Sequence, residues 1–217
     1  MNIFARLILA LACASSINCE AKLITLTCGD NSDDRTLIKR FAPDVVTRIN
    51  QHQLNILTKV GSATLVDKPP HDEPLSGVHY LFCDRRDGFL LITMQDDTRF
   101  GGKLINEQTG AITDAGQDVV ISHDERAYFA AVQPNGLDGE EWSIYAINGK
   151  KSWSGYSFIP QKDNPGQFYA YLEHPTWLPS GEFTATASCA SKIDMKWTVK
   201  LVKNQGEWSW KPLKRCP

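Results

Sequence analysis

The pattern of apolar and polar positions changes character along the chain. Residues 22–28 (KLITLTC) alternate well enough for a strand. The polar turn 29–34 (GDNSDD) follows. Asp33 or Asp34 there is a good cap for a helix through 35–41, with Leu37, Ile38 and Phe41 on one face. Pro43 stops that helix or starts another, in which Val45, Val46 and Ile49 again share a face. Residues 67–76 (DKPPHDEPLS) hold three prolines and read as a loop or a boundary. From Gly77 onward short β-type segments follow one another: 79–83, 88–94, 118–122, 126–132, 142–147, 152–159, 167–172, 182–189, 196–202 and 207–211. They are aromatic or β-branched, and turn pairs such as Asn148-Gly149 and Gln205-Gly206 separate them. The expected fold is all-β, made of meandering hairpins behind a small N-terminal helical segment.

One spacing repeats. Trp142 is followed by Trp153, and Trp197 by Trp208, both 11 residues on, with the pairs 55 residues apart. Phe129 precedes the first pair much as Phe183 precedes the second. Each unit reads as a turn, a strand ending in small residues, a loop and a hairpin. A unit of this size cannot bury both its faces alone, so stacking is expected. The repeat resembles β-propeller repeats, over about 77–217. That resemblance implies a small or open propeller-like stack of short antiparallel sheets; the alternative is two similar hairpins in a β-sandwich.

The N-terminus stands apart. One positive charge, the apolar run 7–14 (LILALACA) and a small-polar stretch give the layout of a secretory signal peptide, too short to span a bilayer. Cleavage after Ala21 or after Ser16 fits the pattern, and Cys13 only loosely matches a lipidation signal. The reading is therefore 1–21 as signal peptide, 22–76 as a strand and helix segment with the Pro-rich loop, and 77–217 as the β-repeat domain. It implies a periplasmic protein without a stable membrane span. Of six cysteines, Cys28, Cys83, Cys189 and Cys216 lie beyond the signal. Export suggests two disulfides among three possible pairings, and we favour Cys28–Cys83 and Cys189–Cys216, the second lying within one C-terminal unit.

Charge and motifs mostly exclude. With 23 Lys+Arg against 25 Asp+Glu, the net charge of −2 argues against nucleic acid as partner. His52, His71, His79, His123 and His174 form no HxH, HxxxH or HExxH, and no two of the four retained cysteines have CxxC spacing, so no metal or other cofactor is expected. The acidic turn 29–34 lacks the glycine and glutamate of a calcium loop. No GxSxG occurs, and SGYSF (154–158) lies on a strand. Asp96-Asp97 and the group Asp138, Glu140 and Glu141 are acidic pairs of the kind glycoside hydrolysis uses, but on turns they read as solvated.

Two surface features remain. The loop 133–141 (QPNGLDGEE) holds two turn signals and one aliphatic tip, Leu137, suited to a partner's cleft. Asn135, Leu137, Asp138 and Glu140 are its candidate contacts. Among the aromatics Trp142, Trp153, Tyr156, Trp177, Trp208 and Trp210, the expected exposed members are Tyr156 and Trp210.

Residues 76–80 (SGVHY) resemble the SGxxY element of bacterial periplasmic lysozyme inhibitors at Ser76, Gly77 and Tyr80. In that family the element enters the enzyme's cleft. In type, the chain also resembles periplasmic immunity proteins that block type VI secretion amidases. These likenesses imply a non-enzymatic periplasmic binding protein, an inhibitor or immunity protein that blocks a cell-wall-degrading enzyme or secreted effector by loop insertion. The alternatives are a structural envelope component and a small glycan-acting hydrolase.

Overall fold

The computed structural model describes residues 22–29, 33–73, 76–135, 139–161 and 167–217. The signal-peptide segment 1–21, with Cys13, lies outside them. In chain order the elements are β1 (Ile24–Thr27), α1 (Asp34–Phe41), β2 (Val46–Asn50), β3 (Gln53–Thr58), β4 (Gly61–Val66), β5 (Val78–Arg86), β6 (Phe89–Asp96), β7 (Arg99–Asn106), β8 (Ile112–Ala115), β9 (Asp118–Ile121), β10 (Ala127–Val132), β11 (Glu141–Ala146), β12 (Lys151–Tyr156), β13 (Phe158–Pro160), β14 (Phe168–Trp177), β15 (Phe183–Cys189), β16 (Lys192–Asn204) and β17 (Glu207–Lys211). The fold is all-β with one short helix, as the pattern predicts.

The strands form four antiparallel sheets: β2-β3-β4, β5-β6-β7-β8, β1-β9-β10-β11-β12 and β13-β14-β15-β16-β17. Apart from β1, every sheet is a meander of consecutive strands. We refer to these sheets as layers one to four. Three apolar clusters join them in succession. Ile38 of α1, Val46, Leu54 and Ile56 meet Phe82, Leu90, Ile92 and Ile105 between layers one and two. Phe89, Leu91 and Leu104 meet Leu26, Val119, Ile121 and Tyr128 between layers two and three. Val120, Phe129, Trp142 and Ile144 meet Leu172, Phe183, Trp197, Val199 and Trp210 between layers three and four.

The continuous apolar runs in the sequence follow from this arrangement. Successive side chains on a strand point to opposite faces. In β6, Phe89 and Leu91 face layer three while Leu90 and Ile92 face layer one. In β10, Tyr128 and Ala130 face layer two while Phe129 and Ala131 face layer four. A strand buried on both faces has no polar side to show. Gly116 links layers two and three at a point where the backbones nearly touch: a Cβ there would lie 1.7 Å from the Ala131 carbonyl oxygen.

The repeat corresponds to the facing halves of layers three and four. Trp142 and Trp153 stand on β11 and β12, and Trp197 and Trp208 on β16 and β17. Both pairs pack in or against one cluster. Phe129 and Phe183 stack on each other across it at 5.2 Å.

The N-terminal segment differs from its reading in one respect. α1 forms as expected, and the Asp33 side chain accepts from the Arg35 N–H. The second helical face is not formed: Val45 lies in a turn, and Val46 and Ile49 stand on strand β2. Val46 is buried there and Ile49 is 55% exposed, so the apolar spacing that suggested a helix face is not a burial pattern.

Both disulfides are the favoured ones, Cys28–Cys83 and Cys189–Cys216. The first ties β1 of layer three to β5 of layer two. The second secures the end of the chain to β15. Their presence fits an oxidising compartment. No helix among the described residues is long and apolar enough to cross a membrane.

Candidate functional site

The chain passes from layer three to layer four at Ser157, and the exposed aromatic residues gather there. The Ser157 N–H donates to the Glu140 carbonyl, and its carbonyl accepts from the Leu172 N–H of β14. On either side, Tyr156 ends β12 and Phe158 begins β13. Their rings stack at 5.0 Å. Phe158 meets Phe168 at 4.2 Å, and Phe168 meets Tyr171 edge-on at 5.7 Å. Cross-strand pairing fixes the run, with Phe158 opposite Tyr171 and Pro160 opposite Phe168. Tyr156 is 54% exposed, and Phe168 and Tyr171 are each 39% exposed. Four rings in contact thus form one apolar surface across the joint between two sheets.

The loop 133–141 is anchored beside this surface. At its first foot, Gln133 and Phe100 of β7 exchange backbone hydrogen bonds of 2.8 and 2.9 Å. At its second foot, Glu141 pairs with Tyr156. Glu140 accepts a 2.9 Å hydrogen bond from the Trp142 indole N–H through its Oε2. Its backbone carbonyl meets Ser157 at the joint while its carboxylate is held by the core indole. Asn135 is exposed at the other end of the loop. Leu137 and Asp138 lie outside the described residues.

Trp210 does not belong to this surface. It is 7% exposed and packs against Trp153, Phe183 and Trp142 at 5.8, 6.0 and 6.3 Å. It was expected to be exposed, but β17 turns this residue toward the shared core of layers three and four. Tyr156 is exposed, as expected.

The SGVHY segment is a turn entering a strand. Gly77 has a positive φ of 70°, and a Cβ there would lie 2.4 Å from the Lys68 carbonyl oxygen. Tyr80 packs against the cluster between layers one and two, not at a loop tip.

The acidic groups of the sequence have separate engagements. Glu141 pairs with Lys151 at 3.6 Å, Asp97 accepts from the Gly77 N–H, and Glu140 serves Trp142.

The histidines are less scattered than their spacing suggests. His52, at the β2–β3 turn, stacks on His71 at 4.0 Å, and His71 meets His79 of β5 at 6.2 Å. The Asp67 carboxylate, 5% exposed, faces both His52 and His79. Among the described residues, no group of three or more His, Cys, Asp or Glu side chains is arranged to hold a metal ion.

Sequence reasoning missed Phe158, Phe168 and Tyr171. The only signal was the i, i+2 spacing of Tyr156 and Phe158, which in a single strand would put two rings on one face; here they stand on either side of the joint between β12 and β13. No family model matches the chain, and no curated protein and no solved structure matches it either.

Proposed function

We propose that the chain is a non-enzymatic periplasmic binding protein that blocks a cell-wall-degrading enzyme or a secreted effector. One observation carries the reading: the contiguous run Tyr156–Phe158–Phe168–Tyr171, exposed beside the anchored loop 133–141. Aromatic rings offer large contact area at little conformational cost, and they dominate the affinity of protein interfaces. A patch of this kind with polar groups at its margin has the make-up of an interface core and rim. Glu140, bonded to Ser157 at the joint, supplies a polar group at that margin. Both feet of the loop, at Gln133 and Glu141, are held by backbone pairing. The two disulfides suit an exported protein.

The test is capture from envelope extracts followed by an inhibition assay on what is captured. Wild-type protein is expected to retain a wall hydrolase or effector and to inhibit it. The Tyr156→Ala/Phe168→Ala protein and a 134–140 deletion are each expected to lose both properties. Equal capture by all three proteins would refute the proposal. Turnover of a glycan by the wild-type protein alone would favour the hydrolase alternative.

A further inference from the structure

We propose that Asp67, His52, His71 and His79 form a proton-operated clamp between the first two layers. Pairing of Gln53 with Val66 places His52 beside Asp67, and the Asp67 N–H donates to the His52 carbonyl. The Asp67 carboxylate leaves layer one to engage layer two. Its Oδ1 accepts from the Tyr80 N–H at 2.9 Å. Its Oδ2 lies 3.4 Å from His52 Nδ1 and 3.5 Å from His79 Nδ1.

The polar contacts of the ring nitrogens distinguish His79 from His52. His79 Nε2 lies 3.0 Å from the Ser76 carbonyl, which only accepts, so Nε2 carries a proton. In neutral His79, the Nδ1 lone pair then confronts a carboxylate oxygen. In the imidazolium, Nε2–H keeps its acceptor on Ser76 and the charged ring stands within ion-pair distance of Asp67. His52 differs, because the Gln51 amide nitrogen lies 2.7 Å from its Nε2. With that amide donating, His52 in its neutral form offers Nδ1–H to Asp67. His79 is therefore the position that takes up a proton, and Asp67 is the group that answers it. His71 stands against both rings from the loop side, and its own protonation would place a second cation there. The other charges facing the cluster are Arg35 of α1, which shares a groove with His52, the Arg48–Asp34 pair, whose arginine donates to the Tyr80 carbonyl, Asp97 at the Gly77 N–H, and the exposed Asp72 and Glu73. Protonation of His79 adds a charged contact to the joint between the Pro-rich loop, the end of β4 and β5; its loss leaves that joint to the Tyr80 N–H and the Lys68–Val78 backbone pair alone. The clamp rests on no part of the proposed function.

The test is an NMR titration of the full exported chain with EDTA present, across the pH range of about 5–8 in which histidine changes charge. The Tyr80 amide, bonded to the same carboxylate, is expected to shift in one step that coincides with the step of the His79 ring protons. The step is expected to disappear in His79→Gln, whose amide still has a donor for Ser76, and in Asp67→Asn. It is expected to persist in His71→Gln. A Tyr80 amide that stays flat in the wild type, or moves with a midpoint different from His79, overturns the proposal without need of any variant. Survival of the step in His79→Gln overturns it too. So does a step seen only without EDTA, which would assign the cluster to a metal ion.

Discussion

Removing the Cys28–Cys83 bridge tests whether the four layers behave as one cooperative body. The bridged residues are 55 apart in sequence and join β1 of layer three to β5 of layer two. In the chain-entropy description, closing a loop of that size stabilises the fold by about 4 kcal/mol. The bridge between Cys189 and Cys216 closes 27 residues and is worth about 3.5 kcal/mol on the same footing. All six tryptophans pack in or against the cluster between layers three and four, and none lies in the cluster that holds Cys83. Tryptophan fluorescence therefore reports unfolding one layer away from the perturbation. In urea, with a slope of about 2 kcal/mol per M, the Cys28→Ala/Cys83→Ala protein should unfold about 2 M earlier than wild type in a single transition. The Cys189→Ala/Cys216→Ala protein should fall slightly less. An unmoved tryptophan transition in the first variant would refute the coupling of layers two, three and four.

Three further outcomes follow from the packing. Gly116→Ala should cost at least about 3 kcal/mol in urea unfolding, because its Cβ would collide with the Ala131 backbone, which cannot yield as a side chain can. Phe183→Ala should cost about 3–5 kcal/mol, since the ring stacks on Phe129 and touches Trp177 and Trp210 at the centre of the same cluster. Burial is the main reason the Tyr128 phenol is pushed up to about 12, with its hydrogen bond to Thr113 Oγ1 opposing it and the nearby Tyr145 and Asp114 adding to it. Between about pH 10 and 12 the unfolded chain gives up this proton while the folded chain keeps it, so stability falls as pH rises through that window. In Tyr128→Phe that part of the fall should vanish when unfolding free energy is followed against pH; an identical slope would contradict it.

Most strands from residue 77 on were legible because two-sided burial writes itself as continuous apolar runs, as in β6 and β10; β7 and β8 were not, because Gly101-Gly102 and polar residues interrupt their apolar positions. The tryptophan repeat was legible because equivalent strands of two facing sheets fill equivalent places in one cluster. Layer one was not legible. Its core contribution is only Val46, Leu54 and Ile56, spread over three short strands, while the exposed Ile49 and Leu57 blur the alternation. Trp210 was misplaced because burial there depends on what lies across the sheet interface, which local pattern does not encode. The histidine cluster has no sequence signature at all. Residues 52 and 67 become neighbours through the β3–β4 pairing, and residue 79 joins them only when layer two packs against layer one.

The central claim is that the four-ring surface beside Ser157 meets a protein partner. A photo-crosslinking aromatic amino acid at position 156, and separately at 168, tests it in the intact envelope, with the exposed position 112 on β8 as control. A covalent adduct from 156 and 168 with the same wall-degrading enzyme or effector is expected, and none from 112. No adduct from either aromatic position, or an equal adduct from 112, would contradict it.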